Sequence, residues 1–224
     1  MKLKLPSDIP PPFIAGTDLE DDYPETMFQL LAHFNVSVCA DLHFLVLLAL
    51  TIEERNTLWK HRTYESVRLC LSINSNAGSP VDARQLAGAT LAHDFAMAFL
   101  PLNMLDKTHR LNQDEMLLMR THIDSAASLI QRMKNWEDAG AMILAHHEKI
   151  DGTGYPNNLK AAEICSGAKI LAIIDTFTAQ GGDIMQGVSE MNRHVGTQFD
   201  AEWVEHFNAV VHRIYHKELS AALQ

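Results

Sequence analysis

The sequence predicts an all-α fold, a helical bundle. The 224 residues are 47% apolar but only 7% aromatic, and the abundance of Leu, Ala and Met favours helix over strand. Apolar residues also recur at helical spacing in long segments that lack Gly and Pro. The length suits one domain with a small extension. We therefore expect residues 1–55 to form an N-terminal extension and helical cap, and residues 56–224 to form the main domain.

The first third of the chain divides into an arm and a helical segment. Residues 1–25 hold five of the eight prolines, which is typical of an extended arm. Residues 26–76 carry apolar residues at helical spacing, and a break near Thr51 would divide their second part into two helices. The run NSNAGSP at 74–80 ends the segment, because Gly, Pro, Ser and Asn favour turns.

Capping residues mark where later helices begin. Asp82 can cap a helix over 83–100, and Asn112 with Glu115 forms a capping box for a helix that runs to about Met133. One face of this second helix is apolar apart from a single histidine, which therefore points inward. That face consists of Leu118, His122, Ala126, Leu129 and Met133.

The other segments follow the same reasoning. They are predicted helices over 136–148, 167–182 and 201–222, the last capped by Asp200, a connection over 101–111 and an ambiguous segment at 183–194.

Composition excludes several classes of protein. The formal net charge of −10, without a basic stripe, argues against binding to duplex nucleic acid. The apolar run FLVLLAL at 44–50 is too short to span a bilayer, so we expect no membrane segment. Cys39, Cys70 and Cys165 are far apart and odd in number. They indicate neither a disulfide framework nor a zinc site, and they favour a cytoplasmic protein.

Histidines and aspartates interrupt the apolar segments. The chain has twelve histidines, and the candidate inward-facing groups are His61, His93, Asp94, His122, His146, His147 and Asp175. A single histidine on an apolar face is more often a hydrogen-bonded core residue than a metal ligand. Imidazole and carboxylate together, however, suit first-row transition metals. Seven candidates are too many for one ion, so the pattern favours two divalent transition-metal ions that share a carboxylate and a water.

Two motifs carry a resemblance to a known family. The pair HD at 93–94 and the run HHEKIDGTGYP at 146–156 resemble the HD-GYP branch of the HD metal-dependent phosphohydrolases. The resemblance implies a helical bundle of the HD-domain type with a multinuclear metal site in its core, often of iron. It also implies hydrolysis of cyclic di-GMP to pGpG or GMP. Residues 56–224 would then be an HD-GYP-like metal-dependent phosphohydrolase domain.

The resemblance also assigns roles to side chains. The metal ligands would be the seven residues named above, with Asp94 bridging the two ions, iron as the expected metal and manganese as the alternative. His93 and Asp94 would be catalytic, and Tyr155, Asp151 and Gly154 would bind the substrate. Two cations lower the pKa of a bridging water, and the resulting hydroxide attacks phosphorus in line.

The chain departs from the family pattern around the substrate. The family run HD-x-G-K reads HDFAM here, so Ala96 replaces Gly and Met97 replaces the Lys that holds the scissile phosphate. Some members carry a Glu that supports a third metal. That position is Thr57 here, which favours a dinuclear site. Basic residues that bind phosphates in the family match positions near Ile184 and Gly187. The predicted metal site is therefore intact and the substrate pocket altered.

The altered pocket leaves three functions open. The first is hydrolysis of cyclic di-GMP, and the second is hydrolysis of another cyclic dinucleotide or nucleotide. The third is a catalytically weak metal-binding module for signalling or interaction, with a protein partner such as a diguanylate cyclase domain. The first 55 residues could also serve as a dimerisation element, which would give a homodimer.

Overall fold

The computed structural model describes residues 23–54, 61–105, 107, 110–179 and 184–215. Within these ranges the chain forms ten α-helices, one 3-10 helix and no β-strand, which confirms the predicted all-α class. In chain order the elements are α1 Tyr23–His33, α2 Ala40–Glu53, α3 Arg62–Asn76, α4 Ala83–Ala92, the 3-10 helix Phe95–Phe99, α5 Leu102–Leu105, α6 Gln113–Ile130, α7 Glu137–Ala145, α8 Ser166–Thr178, α9 Ile184–Arg193 and α10 Ala201–Ile214.

The three predicted helix caps are confirmed. The backbone N–H of Gln85 donates to Asp82 Oδ1 at 2.9 Å at the start of α4. The capping box of α6 is complete, with Asn112 and Glu115 each accepting from the other's backbone N–H. Asp200 accepts from the N–H of Glu202 at 3.1 Å. Side chains thus satisfy backbone donors that have no partner inside these helices.

The prediction of one helix over 83–100 is wrong. Helix α4 ends at Ala92, and the chain continues through His93 and Asp94 into the 3-10 helix. The N–H of Met97 donates to the carbonyl of Asp94 at 2.9 Å, which is the tighter 3-10 pattern. The sequence contains no Gly or Pro here, so local propensity gives no sign of the break. Tertiary contacts of the HD pair override that propensity.

The predicted apolar face of α6 is wrong at one end. Leu118 is 41% exposed, whereas His122 is 1% exposed as expected. The buried face is instead formed by His122, Ile123, Ala126, Ala127 and Ile130. The inward position of His122 is therefore confirmed, while Leu118 faces outward.

The remaining boundaries shift by a few residues. Helix α7 ends at Ala145, before the two adjacent histidines, and the ambiguous segment 183–194 contains α9. The connection at 101–111 includes the single turn α5. The proline-rich arm up to residue 22, position Thr57 and the last nine residues lie outside the described part of the chain. The division of the chain at residue 55 stays a prediction.

Five helices pack around one region of the core. Helix α4 packs between α3 and α7, α8 packs on α3 and α7, and α6 packs on α7. Close approach of α4 and α7 requires Gly88, because a Cβ there would lie 2.1 Å from the ring of Trp136. The C-terminal ends of α4 and α7 lie close to the middle of α6 and to the C-terminal end of α8. None of the helices in the described ranges has the length and apolarity needed to cross a bilayer.

Candidate metal centre

Six of the seven predicted ligands come together in two groups. One group is His122, His146 and His147, and the other is His93, Asp94 and Asp175. Within each group, one potential ligand atom from every residue lies within 4.8 Å of the others. The ring of His146 lies 5.5 Å from that of His93 and 5.8 Å from that of His122, so the two groups adjoin. Helices α4, α6, α7 and α8, with the residues that follow α4 and α7, therefore bring three predicted ligands to each of two neighbouring positions.

Main-chain carbonyls set the tautomer of three of these histidines. The Nδ1–H of His93 donates to Thr90 O at 2.7 Å, that of His122 to Met119 O at 2.5 Å, and that of His146 to Ile143 O at 2.6 Å. A carbonyl can only accept, so each Nδ1 carries the proton. In the neutral ring each Nε2 therefore presents a lone pair. A hydrogen bond to the second nitrogen is the usual way in which proteins orient a metal-binding imidazole.

The inward-facing nitrogens fit a metal. Nε2 of His122 and of His146 is buried and makes no hydrogen bond among the described residues, and the buried Nε2 of His93 faces only the carboxylates of Asp94 and Asp175, at 3.3 and 3.6 Å. Leaving a buried polar atom unsatisfied is costly, and a metal ion would remove that cost at all three positions. Imidazole nitrogen with carboxylate oxygen is a donor set for first-row transition metals. Two divalent ions, one per group, match the number of ligands.

An arginine holds the two aspartates. Arg62 contacts Asp175 Oδ1 through Nη2 at 2.5 Å and Asp94 Oδ2 through Nη1 at 3.4 Å. His93 Nε2 lies 3.3 Å from the same Asp94 oxygen. Burial opposes ionisation of Asp94, but His93 and Arg62 lower its pKa well below the usual value. Burial likewise opposes ionisation of Asp175, and its pKa is lowered by the hydrogen bond to His93 and by Arg62.

The histidines differ in charge because their neighbours differ. Burial favours the neutral form of His93, but Asp94 and Asp175 raise its pKa to about 10. Burial, together with the charges of His147 and His93, lowers the pKa of His146 well below its usual value. Burial also lowers the pKa of His147, to about 4. At neutral pH, His146 and His147 are therefore already deprotonated, as metal ligands must be.

These pKa shifts predict a maximum of stability near pH 6.5 for the metal-free protein. His147 resists protonation when folded, so stability falls between pH 6.5 and about 4, by about 3 kcal/mol for this residue. His93 holds its proton when the protein is folded, so its contribution to stability is complete below pH 6.5 and is lost as the pH rises toward about 10.

Urea unfolding of chelator-treated protein from pH 4 to pH 10 measures the free energy of unfolding on both sides of the maximum. A metal keeps its ligands deprotonated, so the metal-loaded protein should lack the alkaline decline. A metal-free profile without a maximum would contradict the prediction.

A buried glutamate organises the loop after the two histidines. Glu148 is 3% exposed, and its carboxylate accepts from the N–H of Asn157 at 2.6 Å and from that of Leu159 at 3.0 Å. Gly154 is buried against the same stretch, because a Cβ there would lie 2.2 Å from the backbone nitrogen of Lys149. The loop is thus folded back onto the end of α7.

Two predicted substrate-binding residues have structural roles in this loop. The exposed carboxylate of Asp151 accepts from the N–H of Thr153 at 2.9 Å and from its hydroxyl at 2.7 Å, a local turn typical of Asp. Gly154 provides the close backbone approach described above. Contacts of Asp151 and Gly154 with a substrate stay predictions.

Tyr155 lies against the site as part of a stack. Its ring is 5.0 Å from that of His147 and nearly parallel to it, with an interplanar angle of 18°. The guanidinium carbon of Arg120 lies 4.4 Å from the centre of the tyrosine ring, a cation–π arrangement. Burial raises the pKa of Tyr155 to about 12, so the phenol keeps its proton and can donate a hydrogen bond. The predicted substrate residue is therefore adjacent to a predicted ligand.

His61 belongs to neither ligand group. It is the N-cap residue of α3 with a left-handed backbone, φ 66°, and its side chain is half-buried. The next residue, Arg62, reaches the ligand aspartates instead. The role of His61 as a seventh ligand stays a prediction.

Sequence reasoning missed four residues around the site: Glu53, Arg62, Arg120 and Glu148. Glu148 had a visible signal, since it follows His147 directly in the HHE motif. Arg62 and Arg120 lie one and two residues from predicted ligands, so proximity alone could have marked them. Nothing in the sequence marked Glu53, because its contact with Thr63 depends on how the chain between α2 and α3 folds.

Comparisons with known proteins identify the family of the chain. A family model described as HD domain matches residues 48–202, which is more than half of the chain. The all-α fold and the two groups of His and Asp side chains are consistent with this match. The chain belongs to the HD domain family, and its HHEKIDGTGYP run resembles the motif of the HD-GYP branch.

Curated relatives match part of the chain. The 3′3′-cGAMP-specific phosphodiesterase 2 of Vibrio cholerae is 32% identical over 102 residues, covering 45% of this chain and 20% of that protein. The cyclic di-GMP phosphodiesterase response regulator RpfG of Xanthomonas campestris is 35% identical over 103 residues, covering 45% of this chain and 27% of that protein. The chain thus spans about a quarter of the length of these curated relatives.

A solved structure shares the fold. Bd1817, a HDG"Y"P protein from Bdellovibrio bacteriovorus, matches with a TM-score of 0.58 over 84% of this chain and 67% of that chain. The sequences are 18% identical, so the likeness concerns the fold alone.

Proposed function

We propose that this chain is a metal-dependent phosphodiesterase that hydrolyses cyclic dinucleotides, with cyclic di-GMP as its first expected substrate and pGpG or GMP as product. The observation that carries the proposal is the pair of three-residue ligand groups, in which three buried Nε2 atoms face inward. We also propose that residues 56–224 form the catalytic domain and residues 1–55 its cap.

The side chains divide the work as follows. His122, His146 and His147 would hold one cation, and His93, Asp94 and Asp175 would hold the other. Asp94, whose charge also interacts with His122 of the other group, is the residue that we propose the two ions would share. Two divalent ions, iron or manganese, would supply Lewis acidity at the phosphate and a water ionised near neutrality. His93 and Asp94 are the proposed catalytic pair.

Tyr155 and Arg120 provide a binding surface beside the ligands. An aromatic ring and a guanidinium can both stack on a purine base, a contact worth about 1–3 kcal/mol. The phenol, which stays protonated, can donate to a phosphate oxygen. This surface supports a substrate that carries both bases and phosphates.

A second substrate has support of its own. Three of the curated relatives, all from Vibrio cholerae, are 3′3′-cGAMP-specific phosphodiesterases, at 27–32% identity. In addition, Met97 replaces the lysine that holds the scissile phosphate in the HD-GYP family, and the matching positions near Ile184 and Gly187 lack its basic residues, so the usual pocket for cyclic di-GMP is altered. We therefore propose 3′3′-cGAMP as the alternative substrate of the same centre.

One experiment tests both substrates. The protein is purified without oxygen, its bound metal is counted, and the hydrolysis of cyclic di-GMP and of 3′3′-cGAMP is followed with Fe(II) or Mn(II). Two ions per chain with turnover of either dinucleotide supports the proposal, and the ratio of kcat/KM values selects the substrate. Two ions without binding of either compound would overturn it. That outcome would favour a metal-binding interaction module, for which a diguanylate cyclase domain is the proposed partner. Homodimer formation stays a prediction.

A further inference from the structure

Arg62 occupies an unusual place between the ligand carboxylates. Besides Asp94 and Asp175, its guanidinium donates through Nε to Thr178 Oγ1 at 3.2 Å. The side chain is 17% exposed. The positive charge of Arg62 therefore lies within the site, beside the two aspartates whose charge the proposed metal ions would neutralise.

A buried carboxylate positions the backbone that carries this arginine. Glu53, at the end of α2, is 6% exposed and accepts from the N–H of Thr63 at 3.3 Å. The N-cap residue of α3 makes no side-chain cap of its own, so Glu53 takes that function from the preceding helix. Burial raises the pKa of Glu53. The contact with Glu53 therefore fixes the start of α3 and the position of Arg62.

Arg62 also borders a cleft. The cleft is small, with a volume of about 30 Å³, and its polar lining includes Glu53, Arg62, Thr63, His93 and Asp94. Part of the metal centre and the guanidinium thus face the same space. A phosphate oxygen that enters this cleft would meet both.

We propose that Arg62 is the phosphate-binding cation of this chain and takes the place of the lysine that Met97 replaces. The proposal rests on the proposed function only for the identity of the substrate. Once cations bind Asp94 and Asp175, the carboxylates no longer need Arg62 as their main counter-charge. The guanidinium keeps its charge at any working pH and presents a planar fork that matches two phosphate oxygens. Arg62 contacts the substrate in the loaded enzyme and the aspartates in the metal-free protein.

The test compares Arg62→Gln and Arg62→Lys with the wild type, loaded with Mn(II). The readouts are metal per chain, the Kd of inorganic phosphate by calorimetry, and KM and kcat for bis(4-nitrophenyl) phosphate and cyclic di-GMP. We expect Arg62→Gln to keep two ions and to bind phosphate about 10- to 100-fold more weakly, the size of a lost charge-assisted hydrogen bond. Arg62→Lys should fall between, because it keeps the charge but loses the fork. Arg193→Gln, which removes an exposed arginine paired with Glu190 on α9, is the control and should match the wild type.

The other results either decide against Arg62 or separate its role from the proposed function. Unchanged phosphate affinity in Arg62→Gln, or no phosphate binding by the loaded wild type, overturns the inference. Loss of metal in step with loss of phosphate would mean that Arg62 only positions the aspartates. If Arg62→Gln does not fold, Arg62→Lys decides. Wild-type affinity of Arg62→Lys for phosphate would contradict a two-point contact between the guanidinium and phosphate, and weaker affinity would support that contact. Weaker phosphate binding without turnover of any cyclic dinucleotide would leave the inference standing and overturn the proposed function.

Discussion

Replacing Asp94 by alanine is expected to abolish metal-dependent hydrolysis and to remove at least one metal ion per chain. Asp94 lies in one ligand group, and its charge also interacts with His122 of the other, so its loss affects both positions. We expect a fall in kcat of at least about 1000-fold, or about 4 kcal/mol of transition-state stabilisation. Metal analysis of the purified variant and its turnover rate measure the two effects separately.

The control for this variant is Asp124→Ala. Asp124 is an exposed aspartate on α6, two residues from His122. The change therefore removes one carboxylate charge near the site without removing a predicted ligand. Two ions and wild-type turnover are expected. If Asp94→Ala kept its activity, the metal-based mechanism would be wrong. If it kept both ions but lost activity, Asp94 would act on the water or substrate without being needed for metal binding.

Replacing Glu148 by alanine is expected to have the largest effect on stability. Its buried carboxylate accepts two backbone N–H groups, from Asn157 and Leu159. Leaving two such donors unsatisfied costs about 1–3 kcal/mol each. The loop also carries Tyr155, so its displacement should raise KM for the dinucleotide. A lower midpoint of thermal unfolding, by roughly 5–15 °C for a chain of this length, is the expected measurement.

Two further variants test the reason for this effect. Glu148→Gln keeps one oxygen acceptor and should recover part of the stability. Glu163→Ala removes an exposed carboxylate of the same loop, which accepts a single N–H from Lys160 at 2.9 Å, and should cost less than about 1 kcal/mol because water can replace the bond. Equal losses in Glu148→Ala and Glu163→Ala would show that burial is not the cause.

Helical periodicity and short motifs predicted some features of the candidate metal centre and not others. His122 was identified as inward-facing because helical periodicity places it on the apolar side of α6, and that identification holds even though Leu118 faces outward. The HD pair was found by its motif, but the end of α4 at Ala92 was not, because nothing in the residues 93–100 breaks a helix. Periodicity therefore selected the correct side chain without giving the correct local backbone.

Local sequence patterns did not predict the residues that surround the predicted ligands. Arg62 and Asp175 are 113 residues apart in the chain and in direct contact, and no spacing rule connects them. Glu53 and Thr63 are separated by 10 residues, but their contact depends on how α2 and α3 are joined. The stack of Arg120, Tyr155 and His147 likewise brings together two segments that are not neighbours in sequence, α6 and the loop after α7.

The sequence by itself determined the helical class, the caps at Asp82, Asn112 and Asp200, and the residue types that can hold a metal. Each of these depends on the residue itself or on partners within one or two helical turns. Only the tertiary structure decided that six ligands form two adjoining groups, that Arg62 lies between the aspartates, and that Glu148 folds the loop back. Those arrangements depend on contacts between distant segments, and such contacts form only when the helices pack.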